Sequence, residues 1–178
     1  MIVVNSDVGE KRSEKVKLVD IENYILDHFS AVHLLDVWGE KSFFLSPGQR
    51  LKRGTYFATL KEKDGDHDQA SSLDREGVFR LNIGVSKECY LSLFETLPKR
   101  PSKGSCIEGE YDFKQLNCLH PHPIYGWMGW ISILNPCNES FERCKILLED
   151  GYKNALRRAE KRIASLDRKK EEVSLMSS

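Results

Sequence analysis

The sequence predicts a single α+β domain whose sheet is mostly antiparallel, with helices covering one face. Val78 to Val85 alternates apolar and polar residues at period two, the mark of a strand with one buried side. Phe141, Cys144, Leu148, Tyr152, Ala155 and Ala159 recur at spacings of three and four, the mark of a long amphipathic helix. The elements run as a helix, about four strands, a helix, one more strand and a helix, an order that suits an antiparallel sheet with its helices on one side.

Taken in order, residues 1–15 are polar and aperiodic and read as a flexible arm. Leu18, Ile21, Ile25 and Phe29 then carry helical spacing. The apolar run Val32 to Trp38 is punctuated by Gly39, with Ser42 to Ser46 as its partner strand and Pro47-Gly48 as a turn. Thr55 to Lys61 is rich in β-formers; strict alternation places Tyr56, Ala58 and Leu60 on one side and Thr55, Phe57 and Thr59 on the other. Residues 62–77 form a loop with six acids and two bases, read as a solvated acidic surface. In the next strand Phe79, Leu81, Ile83 and Val85 share a face, leaving Arg80, Asn82 and Gly84 on the other.

Ser86 is a suitable N-cap for a helix over 87–97 with Tyr90, Leu91 and Phe94 turned inward. Residues 98–110 hold two prolines and two glycines and read as a surface excursion, followed by a short helix at 112–119. Trp127 to Leu134 is the last strand, stopped by Asn135-Pro136. The compact domain spans 16–160, and 161–178 reads as a charged helical extension and tail.

Leu, Ile, Val and Phe total 48 of 178 residues, enough for one core. Lys plus Arg equals Asp plus Glu at 27 each, which argues against a protein built chiefly to grip phosphate backbones. The zero sum hides an asymmetry: 62–77 carries six acids against two bases, and 157–172 seven bases against four acids. No apolar run approaches a membrane span and no signal peptide is recognisable, so a cytoplasmic protein is expected. Five cysteines without C-x-x-C spacing read as reduced thiols.

Four groups of residues carry candidate chemistry. Asp64-Gly65-Asp66-His67-Asp68 begins like a Ca²⁺ loop, but Gln69 stands where Gly is required and Arg75 where the bidentate Glu belongs. His120-Pro121-His122-Pro123 is stiff, and period two sends both imidazoles the same way. Two histidines fall short of a metal site, so no metal or cofactor is expected. Tyr125-Gly126-Trp127-Met128-Gly129-Trp130 offers aromatic contact area and close backbone approach, or fills the edge of the core. Arg80 beside Asn82 suits a carboxylate, phosphate or base edge; the alternative is a solvated sheet face with Arg80 paired to Glu40 or Asp74. P-loop, Gly-x-Gly-x-x-Gly, Gly-x-Ser-x-Gly and His-Glu-x-x-His motifs are absent from the sequence.

Leu73-Asp74-Arg75-Glu76-Gly77-Val78-Phe79-Arg80-Leu81-Asn82-Ile83-Gly84-Val85 resembles the signature of an uncharacterised, mainly prokaryotic domain-of-unknown-function family, the 6194 family. His120 to Tyr125, Gly129 to Pro136, Trp38-Gly39-Glu40 with Phe43-Phe44, and Phe57 to Leu60 extend the likeness over about residues 18–160. More distantly, the order of elements is similar to the MmcQ/YjbR-like proteins, which implies a compact α+β fold with a curved antiparallel sheet. That group is often labelled DNA-binding on structural grounds. Neither likeness implies an agreed activity.

The leading functional expectation is a non-enzymatic binding module for a small polar or anionic ligand or a protein segment. Its candidate pocket is lined by Trp38, Glu40, Arg80, Asn82, His120, His122, Tyr125 and Trp130. The alternatives are a nucleic-acid-binding protein using Arg50, Lys52 and Arg53 or Arg157, Arg158, Lys161 and Arg162, and an enzyme with His120 or His122 as general base near Glu40.

Overall fold

The computed structural model describes residues 14–176, so the N-terminal arm lies outside the described residues except for Glu14 and Lys15. Lys15 already pairs with Cys137, and Val16 N–H donates to Pro136 O. Six strands form one antiparallel sheet: β1 (Val32–Val37), β2 (Glu40–Leu45), β3 (Thr55–Lys61), β4 (Arg80–Gly84), β5 (Leu119–Pro121) and β6 (Trp130–Leu134). Their spatial order is β1-β2-β3-β4-β6-β5. Three helices complete the chain: α1 (Leu18–His28), α2 (Lys87–Phe94) and α3 (Asn138–Met176).

One face of the sheet meets the helices. Ile21 and Ile25 of α1 and Phe141, Cys144, Leu148 and Ala155 of α3 join Phe43, Leu45, Phe57, Leu60, Leu81, Ile83, Ile131 and Ile133 in one apolar core. At roughly 25 cal/mol per Å² of apolar area removed from water, this layer is the main favourable term in folding. α3 crosses β4 closely at Gly151, where a Cβ would stand 3.0 Å from Gly84 O. Its charged continuation is anchored: Arg162 donates to Gly54 O and Thr55 Oγ1, and Arg50 pairs with Asp167.

The opposite face is covered, which removes the alternative of a solvated sheet face. Ser42, Thr59, Arg80, Asn82, His122 and Ser132 are all buried there. The 62–77 loop folds over part of this face, placing Ser71 and Leu73 in the interior and turning Asp68 toward Arg80. Residues 98–118 contribute a second flap, with Ile107 N–H donating to Pro123 O. Within it the helix expected at 112–119 does not form. Asn117 adopts a positive φ of 57°, its N–H donates to Leu134 O, and Leu119–Pro121 joins the ladder of β6. Strand pairing outweighs a short helix there, since an isolated two-turn helix is marginal in water. α2 likewise ends at Phe94 rather than 97, because Glu95 has a φ of +62°.

A β-bulge overturns the expected faces of β3. Phe43 lies opposite Ala58 and Phe44 opposite Tyr56, so Phe57 is the extra residue. Phe57 and Ala58 therefore both enter the apolar core, while Tyr56 and Thr59 emerge together on the polar face.

Candidate functional site

On that polar face a cleft of about 380 Å³ is lined by Trp38, Glu40, Tyr56, Thr59, Asn82, His122, Tyr125 and Trp130. Each side chain is placed by a local device. Trp38 and Gly39 are the two turn residues of the β1–β2 hairpin, with φ of 56° and 73°, as a primed turn requires. Trp38 is 61% exposed, so a bulky aromatic holds a left-handed backbone with its ring over the cleft mouth. That conformation is normally left to Gly, Asn or Asp because an L side chain costs about 1–2 kcal/mol there. Accordingly, Trp38→Asn should leave stability unchanged or raise it by up to about 1 kcal/mol in urea melts. A clear destabilisation would instead mark the indole as a packing residue.

Trp130 forms the inner wall. In the β4–β6 register it stands opposite Gly84, and its indole lies across that glycine, where a Cβ would meet ring carbons at 2.9 Å. Aromatic contacts then run outward: Trp130 to Tyr56 at 5.2 Å between centroids, and Tyr56 to Trp38 at 6.1 Å. Facing this row, Tyr125 packs on His122 at 5.1 Å, on the stiff turn that Pro121 and Pro123 frame.

The floor is a directed hydrogen-bond chain. Arg80 Nε donates to Asn82 Oδ1 at 2.8 Å, Asn82 Nδ2 donates to Thr59 Oγ1 at 2.9 Å, and Thr59 Oγ1 donates to Glu40 Oε2 at 2.8 Å. Burial, partly offset by the Thr59 hydrogen bond and by Lys61 and Arg80, raises the Glu40 pKa above the ordinary value. Burial, the neighbouring Tyr125 and Glu40 also push the Tyr56 phenol up against the opposing charge of Arg158, so Tyr56 stays a neutral donor.

The raised Glu40 pKa has a defined sign for stability. A carboxyl whose folded pKa lies above its unfolded value stabilises the fold below the unfolded pKa, and that contribution is lost as pH rises through the folded pKa. Glu40→Gln, which keeps an acceptor for Thr59, should therefore raise the melting temperature at neutral pH. A lower melting temperature at pH 7, unchanged at pH 4, would show that the carboxylate stabilises the fold.

Of the eight residues singled out in the sequence, the cleft brings together Trp38, Glu40, Asn82, His122, Tyr125 and Trp130. Arg80 and His120 do not line it. Arg80 is fully buried beneath the floor, and its partner is neither Glu40 nor Asp74 but Asp68. It donates through Nη1 to Asp68 Oδ1 at 3.0 Å and Ser71 Oγ at 2.9 Å, and through Nη2 to Asp68 Oδ2. Asp74 instead accepts from Asp64 N–H. His120 packs beneath Tyr111 and Phe113, with its Nε2 buried and without a hydrogen-bond partner.

His122 Nδ1 accepts from the Ile124 and Tyr125 N–H groups, and Nε2 lies 3.2 Å from Arg80 Nη2. Burial first, then Arg80 and Lys61, hold the His122 pKa well below the ordinary value despite the opposing charge of Asp68. The imidazole is thus neutral, with Nδ1 held by two backbone donors. Tyr56 and Thr59 line the cleft without being among its sequence candidates, and Asp68, read only as part of a Ca²⁺-like loop, and Ser71 are not linked to Arg80 by the sequence. The adjacent apolar pair Phe57-Ala58 was the available sign of the bulge that exposes Tyr56, whereas nothing local distinguishes Asp68 from the other acids of its loop.

Comparison with known proteins places this architecture. A model of the family of unknown function DUF6194 matches residues 16–164. The chain belongs to this family. The DUF6194 match includes every residue of the cleft and of the Arg80–Asp68 pair, so the site is built wholly within the family domain. No curated protein and no solved structure matches the chain, so the more distant likeness to MmcQ/YjbR-like proteins has no comparison behind it. No helix among the described residues is long and apolar enough to cross a membrane.

Proposed function

We propose that this DUF6194 domain is a binding module for a small molecule held in the Trp38–Trp130 cleft. The observation that carries the reading is the cleft's construction. A carboxylate, a hydroxyl and an amide lie linked at its floor between aromatic walls, and its outermost residue, Trp38, occupies a strained turn position that packing alone does not favour. Convergent polar groups in a concave, largely aromatic site are the usual composition of a ligand pocket.

The rival readings have less behind them. For catalysis by a histidine base, the acceptor nitrogen of His122, Nδ1, is already taken by the Ile124 and Tyr125 N–H groups, and His120 lies outside the cleft. Burial pushes the thiols of Cys89 to about 11 and Cys144 to about 12, so neither supplies a thiolate at neutral pH. For nucleic-acid binding, Arg50 is paired with Asp167, and Arg158 and Arg162 donate to carbonyls of Tyr56 and Gly54.

Saturation-transfer NMR with a fragment library, run in parallel on wild type and Trp38→Asn, tests the reading. Compounds that bind the wild type, lose signal in the variant and are recovered unchanged are expected. A library with no binder, or binders indifferent to Trp38, would sink it.

A further inference from the structure

We infer that the ligand of this cleft is an organic cation, presenting an alkylammonium group to Glu40 between Trp38, Tyr56 and Tyr125. The inference rests on the binding reading above and narrows it. Of the polar or anionic ligand or protein segment that the sequence alone suggested, it sets aside the anionic option.

The charge inventory points one way. Among the described residues, Glu40 is the one anionic side chain lining the cleft, no lysine or arginine lines it, and His122 is neutral. Two cations stand at its rim, Arg53 against the Trp38 ring and Arg158 donating to Tyr56 O, and two lie beneath its floor. Arg80 is fully buried with its donors on Asp68, Ser71 and Asn82, and Lys61, also buried, acts on both Glu40 and Asp68. An anion reaching the floor would meet the Glu40 carboxylate with no cationic side chain among the described lining residues, an arrangement that selects against it.

The hydrogen-bond chain points the same way. Every link from Arg80 through Asn82 and Thr59 donates toward Glu40, so the chain ends on an acceptor. Glu40 Oε2 takes the Thr59 proton, and the other carboxylate oxygen is left for a donor or a positive charge.

The walls supply the remaining affinity. Indole and phenol faces attract cations through their quadrupoles, most strongly where water is excluded. Trp38 already does so on this surface, with the Arg53 guanidinium 5.5 Å from its ring centroid. Tyr125 and Glu40 both lie close enough to Tyr56 to push its phenol up. A cation bound among them would also relieve the burial of an unpaired carboxylate at Glu40.

Isothermal titration of the full chain at neutral pH with tetramethylammonium, choline and the uncharged choline isostere 3,3-dimethylbutan-1-ol decides the matter. Choline should bind about tenfold more tightly than the isostere, and Glu40→Gln should weaken choline about tenfold while leaving the isostere unchanged. Circular dichroism and melting of the same Glu40→Gln sample establish that the fold persists. A trimethyllysine peptide serves as a second arm: tighter binding than choline locates the ammonium on a protein side chain, and weaker binding locates it on a free small molecule. Equal affinity for choline and its isostere, or binding of neutral or anionic fragments that depends on Trp38 but not on Glu40, would overturn the cation and leave the binding module standing. No Trp38-dependent binding of any compound would remove both.

Discussion

Asp68→Ala should destabilise the domain by about 3–5 kcal/mol, because it leaves the fully buried Arg80 guanidinium without its countercharge. For a chain of this size that corresponds to a melting temperature lower by roughly 10 °C. The double variant Arg80→Met/Asp68→Leu removes both charges and should recover most of the loss, since a buried ion pair is often replaceable by apolar side chains of similar volume. If the single variant melts like wild type, Asp68 is not the group that neutralises Arg80.

The same pair gives the pH dependence a definite sign. Burial raises the Asp68 pKa, but the Arg80 hydrogen bonds and charge, with His122 and Lys61, more than offset it, and the net shift is downward. A depressed folded pKa contributes stability above the unfolded value, near 4, that is lost as pH falls through the folded value. His122 acts in the same direction at higher pH. Its folded pKa lies below the ordinary value, so stability declines as pH falls below about 6.5, where the unfolded imidazole takes up a proton and the folded one does not. Urea melts should therefore show stability rising from acid to neutral pH in two stages. The lower stage should vanish in Arg80→Met/Asp68→Leu, and its persistence there would assign it to other carboxylates.

Gly84→Val should cost about 1–3 kcal/mol and, in addition, abolish ligand binding. Gly84 is held from both sides: its missing Cβ leaves room for the Trp130 indole at 2.9 Å, and its carbonyl oxygen meets Gly151 of α3 at 3.0 Å from where a Cβ would stand. A side chain there has no free direction to relax into except by moving Trp130, and Trp130 carries Tyr56 on its other side. The expected result is a folded but less stable protein whose tryptophan emission has shifted and which no longer binds the cleft's ligand. Unchanged binding would show that the indole is free to reorient without affecting the cleft.

Much of the fold is legible in the sequence because it depends on near neighbours. Thr55 to Lys61 and Val78 to Val85 read as strands, the second forming over Arg80–Gly84, and the Phe141–Ala159 stripe reads as a helix, because period two and period 3.6 are properties of the backbone itself. Ser86 caps α2 as its position suggests, accepting the Cys89 N–H at 3.2 Å. Where neighbours mislead, a long-range partner has intervened. The 112–119 segment yields its helix to a pairing with β6, and the strict alternation read into β3 breaks at a bulge required by the register of β2.

The candidate site divides along the same line. By itself the sequence determined which residues share the polar side of the sheet: Arg80, Asn82 and Gly84 opposite the Phe79-Leu81-Ile83 stripe, and His120 with His122 at period two. Only the tertiary structure decided which of them reach a ligand. Asp68 folds back across twelve residues to bury Arg80, whose guanidinium meets His122 from forty-two residues away, and Tyr111 and Phe113 close over His120. The physical reason is that a buried charge must find its countercharge wherever the chain can bring one. Alternation assigns a side chain to a face, but only the loops packed on that face determine whether it is covered or open.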